Sequence, residues 1–308
     1  MDLLSVRPSF KLGGMPQPNS DPLLYLPQTT VETLLHYYDY PHPEKPGQII
    51  EGYDKPHALR TAKMCTAVAK HLGHDRDRLR DYQIACLLHD LGRAGLDLKL
   101  FGTIWTWARE QDVPTRPVEW RAVHPETEYG QETEAFWTLY GNQITALGLQ
   151  DNDWTREQVE MRLGYGRRLR RQVKKTLSAL KKHGINWSTW MEKVVLYYYY
   201  PEQMQDQPPW VRELGEILVA CEQLEAYSNR ERGSDYYNRN QESFSEAFLY
   251  LDSLKDKGQL GSRVLSGLRT LTADGVFDSI LIDARNGDIS DEELRTLHSI
   301  SREPHACR

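Results

Sequence analysis

Apolar residues recur at helical spacing along most of this chain. From His57 to His71 the inward positions are Leu59, Ala62, Met64 or Cys65, and Ala69, and Gly73 stands where a left-handed glycine closes a helix. Asp77 opens a second helix through Leu79, Tyr82, Cys86 and Leu87. Phe101 to Trp107 reads as an aromatic loop, and Pro117 then starts a short helix. That helix breaks at His124, because Pro125 pushes its predecessor away from helical geometry. Between Asp153 and His183 the spaced residues Leu163, Leu169, Val173, Leu177 and Leu180 mark one packing side. Leu214, Ile217, Leu218, Cys221 and Leu224 do the same for Glu213 to Tyr227. Two further amphipathic helices, Ser245 to Asp256 and Ser262 to Leu271, precede a polar tail, and a short one lies near Val31 to Tyr38. Strand alternation and Asn-Gly turns are missing, so the predicted class is all-α.

Composition adds bounds. With 308 residues, 39% of them hydrophobic and 27% charged, the chain can bury a large core. A net charge of −6 gives no general reason to expect nucleic-acid binding. No stretch is apolar enough for a signal peptide or a membrane span, so a soluble, cytoplasmic protein is expected. Cys65, Cys86 and Cys221 fall in apolar helical runs and read as buried free thiols. Against this background the segment from Arg156 to Lys182 carries ten Arg and Lys residues and only two acids, Glu157 and Glu160. It is either a solvated helix face or an arm that attracts phosphates.

Candidate chemistry centres on Leu87 to Leu96, where His89 and Asp90 stand side by side after an apolar run. Both are metal-ligating types, and a helix end closing on Gly92 would let neighbours that point about 100° apart converge. The bland alternative is a capped helix end. Three further candidates are His57 at a helix start, His124 at the proline break, and Glu222, which borders an apolar side three residues before Glu225.

In order and setting these residues resemble the HD superfamily of metal-dependent phosphohydrolases, in particular its HD-GYP branch. His57-Ala58-Leu59-Arg60-Thr61-Ala62 is similar to the first histidine motif, and Leu87 to Leu96 to the signature, with Arg93 in place of a usual lysine. Glu119 through His124-Pro125-Glu126 to Gly130 is similar to the next motif, and Ala220 to Ala226 to the closing one, with Glu222 in place of Asp, or Cys221 if the alignment slips by one. Tyr199 and Tyr200 occupy the positions of a His-His pair, and the Gly-Tyr-Pro is missing.

The resemblance implies an HD-type helical domain over residues 46–235 with a basic insertion at about 140–187. A 1–45 extension precedes it, and a helical extension with a polar tail follows over 236–308. It implies a divalent metal (iron, manganese, zinc or magnesium) held by His57, His89, Asp90 and Glu222. A second metal, bridged by Asp90 and held by His124, would be weak or absent, since tyrosine ligates divalent ions poorly. Asp90 and Arg93 are then the catalytic candidates, with Arg93, Tyr199 and Tyr200 facing a small phosphorylated or nucleotide substrate; the tyrosines could equally be core aromatics. Hydrolysis of a phosphate ester, without cyclic di-GMP phosphodiesterase activity, is the expected function. A degenerate domain that binds a nucleotide or protein is the alternative, and a nucleic-acid role for the basic segment a third.

Overall fold

Why the chain folds as helices is visible at their ends. A computed structural model describes residues 21–228 and 243–302. Among them are fourteen α-helices and one two-residue antiparallel pairing, Tyr40–Pro41 with Ile49–Ile50. The all-α class holds. Helix α1 (Gln28–His36) packs on α2 (Lys55–His71) and α3 (Arg76–Leu87). Helix α3 is capped by Asp75, which accepts from the Arg78 backbone N–H at 2.9 Å, and not by the expected Asp77. After a 3-10 turn at Leu91–Arg93 comes α4 (Leu98–Glu110), capped by Asp97. The stretch expected as an aromatic loop therefore lies inside a helix: Phe101, Ile104, Trp105 and Ala108 fall on one side and are buried.

Helices α5 (Pro117–Val123), α6 (Glu132–Ala146) and α7 (Asp153–Leu163) surround that side and share its aromatic core. A larger core holds α1 to α3 together with α8 (Tyr165–Lys182), α9 (Thr189–Leu196) and α10 (Pro209–Ser228). Helices α11 (Phe244–Asp256), α12 (Ser262–Ala273), α13 (Asp278–Ala284) and α14 (Asp291–Arg302) close it. The tail read as polar thus forms two more helices; Ser290 and Glu293 cap the last one reciprocally. The boundary expected near 235 lies outside the described residues.

The two cores meet at two places. Ala94 belongs to the larger and Leu96 to the smaller, while Leu163 belongs to the smaller and Tyr165 to the larger. The His-Asp turn sits at this seam. The segment expected as a basic insertion supplies the other half of it: Leu169, Val173 and Leu180 of its expected packing side are core residues, as is Tyr165. Its arginines are largely matched by acids across helices, Arg167 and Arg171 on Glu160, Arg168 on Glu157 and Arg170 on Glu192. Glu192 comes from outside the segment, so the local charge imbalance overstated its free charge. Among the described residues no helix is long and apolar enough to cross a membrane.

Candidate metal centre

Three donors converge on one point. His57 lies in the first turn of α2, while His89 and Asp90 follow the end of α3, and all three are buried. The Nε2 atoms of the two imidazoles are 3.2 Å apart, and Asp90 Oδ2 is 3.7 Å from one and 3.8 Å from the other. The far side of each ring is occupied. His89 Nδ1 donates to the Cys86 carbonyl at 2.7 Å, and His57 Nδ1 donates to Glu225 Oε2 on α10. With both Nδ1 atoms engaged, the two Nε2 atoms face each other at hydrogen-bond distance and face a carboxylate oxygen. Such a set of atoms is suited to sharing one cation. Mixed N/O donors backed by a carboxylate and a carbonyl are what a divalent metal site needs, so His57, His89 and Asp90 form a group that could hold one.

The surroundings hold this geometry from three directions. Arg60 Nε donates to Glu225 Oε1 at 2.6 Å, and its Nη1 donates to Asp283 on α13 at 3.0 Å. The Tyr38 hydroxyl donates to the Leu87 carbonyl at 3.0 Å and accepts from the Asp90 N–H at 3.2 Å, while Tyr165 donates to the His89 carbonyl. Burial first, then the Asp90 charge, pushes both phenols well above the ordinary tyrosine range, so they stay protonated donors. Tyr165 approaches so closely that a Cβ on Gly92 would lie 2.7 Å from its ring. Gly92 is thus explained by that approach and not by a helix end, since α3 stops at Leu87. Arg168, fully buried, donates to the Ala94 carbonyl at 2.8 Å and fixes the chain beyond the turn.

Arg93 extends the site outward. It pairs with Asp90 Oδ2 at 3.2 Å and with Asp54 at 3.3 Å, and it lines a cavity of about 150 Å³ beside the donors. Tyr199 lines the same cavity, stacked on Tyr165 with centroids 4.3 Å apart.

No protein-family model, curated protein or solved structure matches this chain.

Three expected participants stand elsewhere. Glu222 is not one of the three converging donors; it faces the cavity, and Glu225, one turn further along α10, contacts His57 instead. Residues three apart on a helix differ by about 60° in direction, enough to send one acid under the histidine and the other to the cavity. His124 caps α5, with its ring 4.5 Å from that of Trp120 and its Nδ1 3.5 Å from Glu126, and it does not join the group. Tyr200 packs against Tyr129 and over the Arg121 guanidinium. Reasoning from sequence missed Tyr38, Asp54 and Tyr165 altogether. An acid just before a helix that opens on histidine was a usable signal for Asp54; isolated tyrosines carried none.

Proposed function

We propose that this protein hydrolyses a phosphate ester or nucleotide with the help of one divalent metal held by His57, His89 and Asp90. The observation that carries the reading is the convergence of three ligating side chains, two of them imidazoles whose Nδ1 atoms are already engaged, next to a guanidinium that opens onto a cavity. Three protein ligands leave coordination positions for water and substrate, as catalytic sites require. A divalent ion there supplies a more acidic water and polarises a phosphoryl oxygen.

The chain's own residues do the rest. Glu225 and the Cys86 carbonyl fix which nitrogen each histidine offers. Arg93, braced by Asp54 and Asp90, presents a planar donor fork to a phosphoryl oxygen. Tyr199 lines the same cavity as Arg93 and Glu222 and, its pKa raised by burial, offers a neutral hydroxyl. A second reading, a domain that binds its ligand without turnover, draws on the position of Glu222, which contributes no fourth donor.

The test is elemental analysis of purified protein and of Asp90→Ala, together with a panel of phosphomonoesters, mononucleotides, dinucleotides and cyclic di-GMP. Bound metal lost in the variant, with turnover of at least one ester by the native protein, is expected. Full metal content in Asp90→Ala refutes the site, and metal without turnover selects the second reading. His298, paired with Asp278 at 2.9 Å, provides the control histidine.

A further inference from the structure

Gln223 on α10 is 8% exposed and lines the cavity beside the three donors. Among the described residues no hydrogen bond reaches its carboxamide, and its polar atoms are not sealed away, so they open onto the cavity. A carboxamide carries one accepting oxygen and two donating hydrogens, and native interiors leave few such groups unmet. The Tyr199 hydroxyl is in the same position. Stacking on Tyr165 holds its ring at the cavity wall, and no group among the described residues bonds its oxygen. The adjacent Tyr198 hydroxyl, by contrast, already faces that of Tyr250 at 3.4 Å.

Size and shape select what fits. The cavity measures about 150 Å³, and a space of about that volume accommodates one six-membered ring such as benzene. A purine carries a second fused ring and exceeds it. Rings of Phe101, Tyr198, Tyr199 and Tyr250 line the space, and flat heterocycles stack on such faces. The adjoining acceptor and donor of the Gln223 carboxamide match the adjoining donor and acceptor on the edge of a base. Arg93 also lines the cavity and pairs with Asp90 at 3.2 Å, which places a ring there one guanidinium away from a metal-ligating carboxylate.

We infer that this cavity holds the pyrimidine ring of a nucleotide, bonded by the Gln223 carboxamide and the Tyr199 hydroxyl, with the phosphoryl group at Arg93 and the three donors. The phosphoryl half of that statement rests on the phosphoester reading above; the base half rests on the cavity alone. Uracil and cytosine present donor and acceptor in opposite order along one edge, and turning the carboxamide over serves either. Both are therefore admitted, and purines are not.

The experiment titrates the purified full chain calorimetrically with the 3′- and 5′-phosphonates of uridine, cytidine, adenosine and guanosine. Ribose 5-phosphonate serves as the base-free reference, and a carbon in place of the ester oxygen keeps every ligand intact. A uridine or cytidine phosphonate is expected to bind about tenfold or more tighter than the purine phosphonates and the reference, since two neutral hydrogen bonds contribute roughly that factor. Gln223→Leu removes the amide from the wall and should cut the preference over ribose 5-phosphonate about tenfold. Tyr199→Phe keeps the stacking ring, loses only the hydroxyl, and should cut it by about half that factor or less. Arg170→Gln, on the Glu192 pair away from the lining, should bind as the native protein does. Preference for uridine over cytidine, or the reverse, assigns the orientation of the carboxamide; both support the inference. Purines binding as tightly as pyrimidines, the base-free reference binding as tightly as either, no binding of any phosphonate, or a preference unchanged in Gln223→Leu overturns it. A pyrimidine preference without turnover of any ester leaves this inference standing and removes the hydrolase reading. Turnover of esters with no preference for the base does the reverse.

Discussion

Glu225→Gln separates orientation of a metal ligand from ordinary stability. Glu225 is fully buried between His57 Nδ1 and Arg60, so the change has two effects. Removing one partner of a buried ion pair costs about 3–5 kcal/mol. Here the cost falls below that range, because glutamine keeps one accepting oxygen and Asp283 still faces Arg60 at 3.0 Å. The other effect is on metal affinity, where losing the carboxylate behind a ligating histidine typically costs about 10–100-fold. Chemical denaturation with and without metal distinguishes the two. At free metal roughly 100 times the native Kd, binding stabilises the native protein by about 2.7 kcal/mol. In the variant the same concentration is only about 10 or 1 times Kd, so the increment falls to about 1.4 or about 0.4 kcal/mol. The structural cost sits in both curves of the variant and cancels from the difference. An increment still near 2.7 kcal/mol in Glu225→Gln refutes the claim that Glu225 orients His57 for a metal. No increment in the native protein with any of the four candidate metals refutes the metal itself.

Gly92→Ala places a Cβ 2.7 Å from the Tyr165 ring and is expected to destabilise by about 1–3 kcal/mol in urea unfolding; combining it with Tyr165→Leu should recover most of that, and additive losses contradict the contact. For Glu160, burial raises the pKa but hydrogen bonds and charge from Arg171 and Arg167 outweigh it, so the net shift is downward from 4.5. Its contribution to stability is therefore present above about pH 4.5 and disappears as pH falls through the lower folded value; Glu160→Gln should flatten the stability profile in that acid window, and an unchanged slope there counts against the pairing. Cyclic di-GMP should survive incubation with the native protein and manganese or iron, because His124, Tyr199 and Tyr200 do not gather a second set of imidazoles around Asp90; chromatographic detection of a linear product contradicts this.

Local physics made much of this protein legible from its sequence. Periodicity of 3.6 residues located α2, α8, α10, α11 and α12, since a buried helix side needs apolar residues at that spacing whatever it packs against. The break at His124 followed from proline sterics alone. Residue type marked His57, His89, Asp90, His124 and Glu222 as candidates, and the family resemblance implied their grouping; the structure brings the first three together. Tertiary structure decided what depends on direction rather than on kind. Glu222 and Glu225 are both acids on one helix, and only the packing of α10 on α2 puts Glu225 against His57. Phe101 to Trp107, read as a loop, is helix because Asp97 caps its start and a second aromatic core absorbs the side chains. In the basic segment Arg170 finds its acid, Glu192, outside the segment, a pairing that only folding sets. Tyr38 and Tyr165 reach the His-Asp turn from 52 and 76 residues away, and no local rule encodes a contact at that separation. Short-range preferences fix elements and residue types, whereas a site assembled at the seam of two cores exists only once both cores have packed.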